Sequence, residues 1–176
     1  MMENIKVVLS EQQIQTRVKE LAKKISEDFQ DKDPIMICML KGAIYFFADL
    51  TRNLTIPVQI DFAHLSSYKN GTTSGVMEII SNITSDIKNR HIIIVEDIID
   101  SGKTLDYFVR LIKEKNPASI SICAFLDKKE RREIDVKVDY VGFDIPCGFV
   151  VGYGMDYAQH YRELPYLGEL TDVDNL

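Results

Sequence analysis

The spacing of hydrophobic residues changes several times along the chain. After Ser10, whose pairing with Gln13 forms a capping-box pattern, apolar residues recur at helical spacing as far as Phe29, which predicts an amphipathic helix. Continuous apolar runs predict buried strands, and further helical patterns separate them. The predicted strands are 35–40, 58–65, 91–95 and 119–126, and the predicted helices are 43–54 and 104–115.

This alternation predicts an α/β fold in which helices cover both faces of a central, mostly parallel sheet. In such sheets, ligands bind beyond the carboxyl ends of the strands. Beyond residue 138 the pattern changes to short strands and turns with no clear βα unit. We therefore expect one domain spanning residues 1–176, with a core at about 30–140 and a small hood formed by both chain ends, about 1–10 and 141–176.

The composition limits the possible functions. A formal net charge of -6 disfavours a general nucleic-acid or membrane-surface binder, because both need an excess of Lys and Arg. No stretch approaches the roughly 18 apolar residues that span a bilayer, and the N-terminus has no apolar signal-peptide region, so we expect a cytoplasmic protein. The three cysteines form no C-x-x-C pair, which indicates neither a disulfide framework nor a zinc site. Cys38 and Cys123 are expected to be buried in strands.

The segment VEDIIDSGKTL, residues 95–105, directly follows a predicted strand and carries the most informative chemistry. Its first half holds three carboxylates, Glu96, Asp97 and Asp100, which can accept hydrogen bonds from a vicinal diol or bind a hard divalent ion. Its second half, residues 101–104, supplies hydroxyls, a glycine and N–H groups at a helix N-terminus, which bind phosphate without net positive charge. The segment therefore suits a ligand that carries both ribose and phosphate.

Two other interpretations of this segment compete with a binding loop for ribose and phosphate. The Gly-Lys-Thr ending is similar to a Walker A loop, but that motif requires glycine where this chain has Asp97, so a nucleotide triphosphatase is not expected. An ordinary strand-to-helix turn with a solvated acidic face would be preferred for an isolated acidic cluster. The context of the whole segment favours a binding loop instead.

Further motifs extend this interpretation, namely Leu40-Lys41-Gly42, Leu126-Asp127-Lys128 and residues 149–157, FVVGYGMDY. Segment 95–105 closely resembles the signature of type I phosphoribosyltransferases, and the other motifs resemble the hypoxanthine phosphoribosyltransferase branch from about residue 35 to 167. The resemblance implies the type I phosphoribosyltransferase fold and a reaction in which hypoxanthine and 5-phosphoribosyl-1-pyrophosphate (PRPP) give inosine monophosphate and pyrophosphate. It also implies Mg²⁺ as cofactor, a 6-oxopurine and PRPP as small-molecule partners, and a homodimer or homotetramer.

The same resemblance assigns roles within segment 95–105. Glu96 and Asp97 would bind the ribose hydroxyls of PRPP and a metal ion. Asp100 would act as general base toward the purine, and its charge would stabilise positive charge developing on the ribose. The residues implied to surround the 5-phosphate are Asp100, Ser101, Gly102, Lys103 and Thr104.

Pyrophosphate ligands are implied at two positions. Lys41 and Gly42 match the family's pyrophosphate loop, in which the peptide before the lysine is cis. Arg162 matches a second pyrophosphate ligand, and its fork geometry suits a diphosphate leaving group. The ordinary alternatives are a strand-end lysine that reaches solvent and a surface salt bridge of Arg162 with Glu163 or another acid.

The purine pocket is implied by two further motifs. Lys128 matches the lysine that donates to the 6-oxo group, which discriminates against adenine. Phe149 would stack on the purine, the Val150 backbone would read its edge, and Asp156 would bind a magnesium ion that carries pyrophosphate. By composition alone, residues 149–151 indicate only a core strand. The nearby Lys129, Arg131 and Arg132 indicate a solvated charge run.

Residues 66–75 form a predicted loop of unusual length, rich in Ser, Asn, Gly and Thr. Ser67 and Tyr68 match the mobile lid of the family, whose closure would exclude water from the reaction centre. A disordered connector fits the same composition. The chain departs from many relatives at Cys147-Gly148, where they have a charged or acidic pair, so the use of guanine and xanthine stays open.

Two functions from other classes compete with this assignment. A non-catalytic regulator that senses PRPP could dispense with Lys128, Asp156 and the lid, yet all are present, and the net negative charge offers no nucleic-acid-binding face. A phospho-acceptor signalling domain would use the acidic strand end but would not need residues 101–104 as a phosphate site. The sequence therefore favours the enzyme.

Overall fold

The computed structural model describes residues 5–67, 77–81, 83–145 and 148–171. In chain order its elements are β1 (Ile5–Leu9), α1 (Glu11–Asp28), β2 (Ile35–Leu40), α2 (Ile44–Asn53), β3 (Gln59–Ser67), β4 (Met77–Ser81), β5 (His91–Ile99), α3 (Lys103–Glu114), β6 (Ser119–Asp127), β7 (Tyr140–Asp144), β8 (Val150–Val151) and β9 (Leu167–Leu170). Within these residues, six strands form the main sheet in the order β4-β3-β2-β5-β6-β7.

Five neighbouring strands of the main sheet are parallel, and β4 is added antiparallel at one edge. This topology confirms the predicted α/β fold class. Because β2, β5 and β6 are adjacent and parallel, the residues that follow them meet at one edge of the sheet, where ligands bind in α/β folds.

Helices cover both faces of this sheet. Met36 and Cys38 of β2 belong to the hydrophobic cluster that α1 and α2 complete, whereas Ile35 and Ile37 belong to the cluster that contains Phe108 of α3. Successive residues of a strand point to opposite faces, so a continuous apolar run buries both faces at once. The apolar runs in the sequence therefore correctly predict the central strands.

The predicted capping box starts α1. The Oγ of Ser10 accepts a hydrogen bond from the backbone N of Gln13 at 3.3 Å, and the Gln13 side chain accepts one from the backbone N of Ser10 at 2.9 Å. These two bonds satisfy N–H groups that have no partner within a helix.

Two boundaries differ from those that the hydrophobic pattern predicts. Strand β5 continues past Val95 to Ile99, because Glu96 and Ile99 remain paired with Ala124 and Asp127 of β6. Strand β7 joins the main sheet as a parallel edge strand beside β6, although the pattern assigns that stretch to the tail. Backbone pairing with β6 decides both cases, and side-chain polarity does not reveal it.

The two chain ends form a small antiparallel sheet in the order β1-β9-β8, which is the predicted hood. The division into one domain with these limits stays a prediction. Among the described residues, no helix has both the length and the apolar character needed to cross a membrane.

Candidate active site

The end of β5, the turn after it and the start of α3 line a cavity at the carboxyl edge of the sheet. Its volume is about 170 Å³, and its lining residues are Glu96, Ile98, Ile99, Asp100, Ser101, Gly102, Thr104 and Leu105. A larger groove of about 730 Å³ lies between α1 and the segment after α2, and it contains none of the predicted site residues. We therefore place the candidate site at the smaller cavity, where the predicted chemistry is concentrated.

Glycine is required at the start of α3. Gly102 has a φ of 82°, and a Cβ at this position would lie 2.5 Å from the backbone O of Ile134. Any larger residue at position 102 would be strained by this φ and would clash with the carbonyl of Ile134. Gly102 and Thr104 both line the cavity, so the N-terminus of α3, which favours an anion, lies at this site.

Lys103 lies apart from this cavity. Its Nζ pairs with Glu133 at 2.5 Å, and both side chains are more than half exposed, at 55% and 58%. The phosphate-binding role of Lys103 stays a prediction, and it would require the lysine to leave this surface ion pair.

The carboxylate of Asp100 has an unused acceptor. Its Oδ1 atom is buried and accepts no hydrogen bond from any residue that the structure describes. A buried carboxylate oxygen without a donor is costly, so such atoms occur where a ligand or a reaction uses them. Oδ1 of Asp100 is therefore available to accept a hydrogen bond from a bound molecule.

Glu96 and Asp97 form an adjacent acidic pair. Burial raises the pKa of Glu96 well above its ordinary value, and the neighbouring charge of Asp97 raises it further. A cation or the hydroxyl donors of a sugar would relieve this repulsion.

This acidic pair gives a testable dependence of stability on pH. Since the pKa of Glu96 is higher in the folded state than its ordinary value of 4.5, the folded protein binds the proton more tightly than the unfolded chain. Stability is then lost as pH rises from about 4.5 through the raised pKa. We expect Glu96→Gln to raise the melting temperature of the ligand-free protein at neutral pH and to flatten this decline. Melting temperatures measured between pH 4 and 8 test both effects. Glu130→Gln, at an exposed position, serves as the control. An unchanged decline in Glu96→Gln would contradict the assignment.

The donor set suits magnesium only when substrate oxygens complete the coordination. No group of three or more His, Cys, Asp or Glu side chains could hold a metal ion within the described ranges. Mg²⁺ usually takes one or two protein carboxylates and completes its shell with water and phosphate oxygens. The Glu96–Asp97 pair and Asp156 fit that mode of binding.

The loop after β2 lies against the acidic pair. The Leu40–Lys41 peptide is cis, as the resemblance implies. Gly42 is buried, and a Cβ added to it would overlap Oδ2 of Asp97 at 1.6 Å. Lys41 is exposed beside it, so its side chain is free to meet either solvent or an incoming diphosphate.

The hood closes on this same loop. Gly154 has a φ of 104°, and a Cβ there would lie 1.9 Å from the backbone O of Gly42. The Oη of Tyr153 donates to Asp49 of α2 at 2.7 Å, which fixes the hood turn to the helix that follows the loop. The structure therefore joins the predicted pyrophosphate loop to the predicted magnesium and purine segment.

Arg162 and Asp156 are paired with each other. Nη2 of Arg162 lies 2.6 Å from Oδ1 of Asp156, and Nη1 donates to the backbone O of Gly154 at 2.6 Å. Both side chains are about one quarter exposed, at 22% and 25%. The Arg162 salt bridge is thus made with Asp156 and lies beside Gly154, close to the predicted pyrophosphate loop.

The predicted purine residues lie directly after β6 and at the start of β8 in the hood. Lys128 is buried, and its Nζ donates to the backbone O of Gly148 at 3.1 Å. Phe149 is 43% exposed, and its ring packs edge-on against Tyr157 with centroids 5.5 Å apart. Much of the Phe149 side chain is thus accessible, and Val150 begins β8 directly after it.

The sequence pattern is wrong about Arg132. Lys129 and Arg131 are exposed as expected for a solvated charge run, but the Arg132 side chain is only 13% exposed. It pairs with the buried carboxylate of Asp127 and donates to the backbone carbonyls of Ile99 and Asp100. No local signal in the sequence distinguishes this arginine from its neighbours.

The remaining predictions concern the cysteines and the lid. Cys38 and Cys123 are buried, as expected, and burial raises the pKa of Cys38 to about 12, so this thiol stays protonated. Ser67 ends β3. Tyr68 and Cys147 lie outside the described residues.

Comparison with known proteins agrees with this geometry. The family model for the phosphoribosyl transferase domain matches residues 5–158. The chain is 47% identical over 166 residues to the hypoxanthine-guanine phosphoribosyltransferase of Bacillus subtilis, covering 94% of this chain and 92% of that protein. It is 47% identical over 173 residues to the hypoxanthine phosphoribosyltransferase of Buchnera aphidicola, covering 97% and 98%.

Solved structures extend the similarity to the fold. A hypoxanthine-guanine phosphoribosyltransferase from Bacillus anthracis superposes with a TM-score of 0.90 at 43% identity, covering 94% of this chain and 99% of that one. A hypoxanthine phosphoribosyltransferase from Staphylococcus aureus gives 0.92 at 39% identity, covering 97% and 94%. The chain therefore belongs to the phosphoribosyltransferase family, in its hypoxanthine phosphoribosyltransferase branch.

Proposed function

We propose that this enzyme acts in purine salvage, where it transfers the phosphoribosyl group of PRPP to hypoxanthine and forms inosine monophosphate and pyrophosphate. The observation that carries the proposal is the buried Oδ1 of Asp100, which accepts no hydrogen bond from the described residues and lies beside a helix N-terminus suited to phosphate. A base close to an anion site suits a sugar phosphate that is bound through its phosphate and reacts at a carbon of its sugar.

Asp100 would accept the proton that a purine ring nitrogen loses as the other ring nitrogen attacks the anomeric carbon. A carboxylate in this position also stabilises the positive charge that develops on the ribose. The nitrogen–carbon bond forms as the bond between carbon and pyrophosphate oxygen breaks, so the leaving group departs with the electron pair.

The sugar phosphate would be held by the rest of segment 95–105. Glu96 and Asp97 would accept hydrogen bonds from the ribose hydroxyls, which would offset the burial and the repulsion by Asp97 that raise the pKa of Glu96. Residues 101–104 would bind the 5-phosphate through hydroxyls, backbone N–H groups and the N-terminus of α3.

The leaving pyrophosphate would lie between the Lys41–Gly42 loop and Arg162. The Glu96–Asp97 pair would bind one Mg²⁺ ion, and Asp156 would bind a second that carries the pyrophosphate. Substrate oxygens would complete both coordination shells, and the ions would neutralise charge on the diphosphate. The 2.6 Å pair between Arg162 and Asp156 supports a shared location for these two side chains, and Asp156 would release the guanidinium when it binds the metal ion.

Lys128 would select the base. Its buried ammonium donates to a backbone carbonyl, and a 6-oxo group could take over as acceptor, whereas the 6-amino group of adenine could not. Phe149 would stack on the purine and the Val150 backbone would read its edge. We also propose guanine and xanthine as further substrates, which would give guanosine monophosphate and xanthosine monophosphate.

We also propose that the enzyme is a cytoplasmic homodimer or homotetramer, with Ser67 and Tyr68 contributing to a lid. Two buried free thiols support a reducing compartment. Exposed apolar side chains on neighbouring α2 and β3 support self-association, namely Ile44, Tyr45, Ile60 and Phe62.

A substrate panel tests the function. The purified protein is assayed with PRPP and Mg²⁺ and with hypoxanthine, guanine, xanthine, adenine or uracil, and nucleotide formation is followed. We expect turnover of hypoxanthine and a kcat/KM for adenine at least about 10³-fold lower, because the buried lysine would face a second donor. Absence of turnover with every base would contradict the proposal and support a PRPP-binding regulator.

A further inference from the structure

The segment after β6 folds back over the loop that carries Asp100. Nε of Arg132 donates to the backbone O of Asp100 at 3.1 Å, and its Nη2 donates to the backbone O of Ile99 at 3.2 Å. The guanidinium therefore anchors two consecutive peptide groups at the end of β5.

The next two residues continue this contact. The backbone N atoms of Glu133 and Ile134 donate to the backbone O of Ser101 at 3.0 and 3.1 Å. Gly102 approaches the same segment so closely that a Cβ would lie 3.2 Å from Cδ of Arg132. Residues 132–134 thus form a strap, the name used below, that runs along the loop.

A buried counter-ion orients the arginine. Nη2 of Arg132 pairs with Oδ1 of Asp127, whose side chain is 5% exposed, against 13% for Arg132. A planar guanidinium held on a buried carboxylate presents its remaining N–H groups in a fixed direction. A lysine would keep the charge but would lose this fork.

We propose that Arg132 is a positioning residue for the transfer reaction, holding the backbone of Ile99 and Asp100 so that the Asp100 carboxylate faces the purine. The inference rests on the proposed role of Asp100 as base. Because Oδ1 of Asp100 accepts no hydrogen bond from the described residues, the placement of that oxygen depends on the backbone that carries it. Arg132 and its partner Asp127 supply the anchor for that backbone.

A double-mutant cycle separates positioning from general support of the fold. Arg132→Lys is measured alone and in the Asp100→Asn background, with the exposed neighbour Arg131→Lys as matched control. We expect Arg132→Lys to lower kcat with hypoxanthine about 10- to 100-fold, since a misplaced base costs that much. In the Asp100→Asn background the same change should cost less than about 2-fold, because groups that act as a unit are not additive. Arg131→Lys should leave kcat unchanged in both backgrounds.

Thermal unfolding first verifies that each variant is folded. Should Arg132→Lys fail to fold, Asp127→Asn replaces it in the cycle, since it removes the charge that orients Arg132 and is expected to give the same non-additive pattern. A wild-type kcat in folded Arg132→Lys, or an equal loss of kcat with and without Asp100→Asn, would overturn the positioning role. The proposed function would then stand. Wild-type kcat in Asp100→Asn alone would instead overturn the base role, and the Arg132 inference with it.

Discussion

Asp100→Asn is expected to lower kcat with hypoxanthine about 10²- to 10⁴-fold, the usual contribution of a general base. The amide has the same shape as the carboxylate but cannot take up the proton of the purine. PRPP affinity should change little, because residues 101–104 and the N-terminus of α3 are untouched. Steady-state kinetics and calorimetric titration with PRPP measure the two effects separately.

A matched control is available in the first turn of α3. Asp106 carries the same functional group close to the loop, but it pairs with Arg110 at 2.9 Å and does not line the cavity. Asp106→Asn should keep wild-type turnover. Turnover in Asp100→Asn above half of the wild-type value would rule out the base role.

Gly154→Ala is expected to lower kcat/KM for PRPP about 10²-fold, since displacements near 1 Å at a reaction centre cost that much. The new Cβ would lie 1.9 Å from the backbone O of Gly42, so the hood and the pyrophosphate loop must separate. A side chain at a φ of 104° adds a conformational cost of about 1–3 kcal/mol. Kinetics with varied PRPP, together with denaturant unfolding, test both consequences.

Ala158→Gly serves as the control in the same hood segment. Ala158 is exposed with a φ of 48°, so removing its Cβ relieves a conformation that glycine adopts more easily. This variant should keep wild-type kcat/KM. If Gly154→Ala also keeps it, contact between Gly154 and Gly42 is not needed for PRPP use.

The hydrophobic pattern predicted the elements of the core better than their ends. It identified α1 through its capping box and β2 through an unbroken apolar run, because both signals are local. It stopped β5 at Val95, where charged residues begin, although the strand continues to Ile99. A strand continues for as long as its neighbour supplies hydrogen bonds, and that neighbour, β6, is distant in sequence.

The sequence predicted those parts of the candidate site whose functional residues are neighbours along the chain. Segment 95–105 carries a diol-binding half and a phosphate-binding half in adjacent residues, so the residue types alone indicate the ligand class. Arg132 was misjudged for the opposite reason. Its burial depends on the chain turning back to reach Asp127 and the loop, and a charged residue in a polar run has no local mark of such a contact.

The sequence by itself determined the α/β class, the ribose-and-phosphate loop and, through its motifs, the branch of the family. Periodicity and adjacent functional groups are properties of neighbouring residues, and the chain carries them before it folds. Only the tertiary structure decided that Gly154 meets Gly42, that Arg132 anchors Asp100 and that Oδ1 of Asp100 is left as a buried acceptor. Those facts depend on which distant segments pack together, because burial and hydrogen-bond partners exist only once the sheet and its hood have formed.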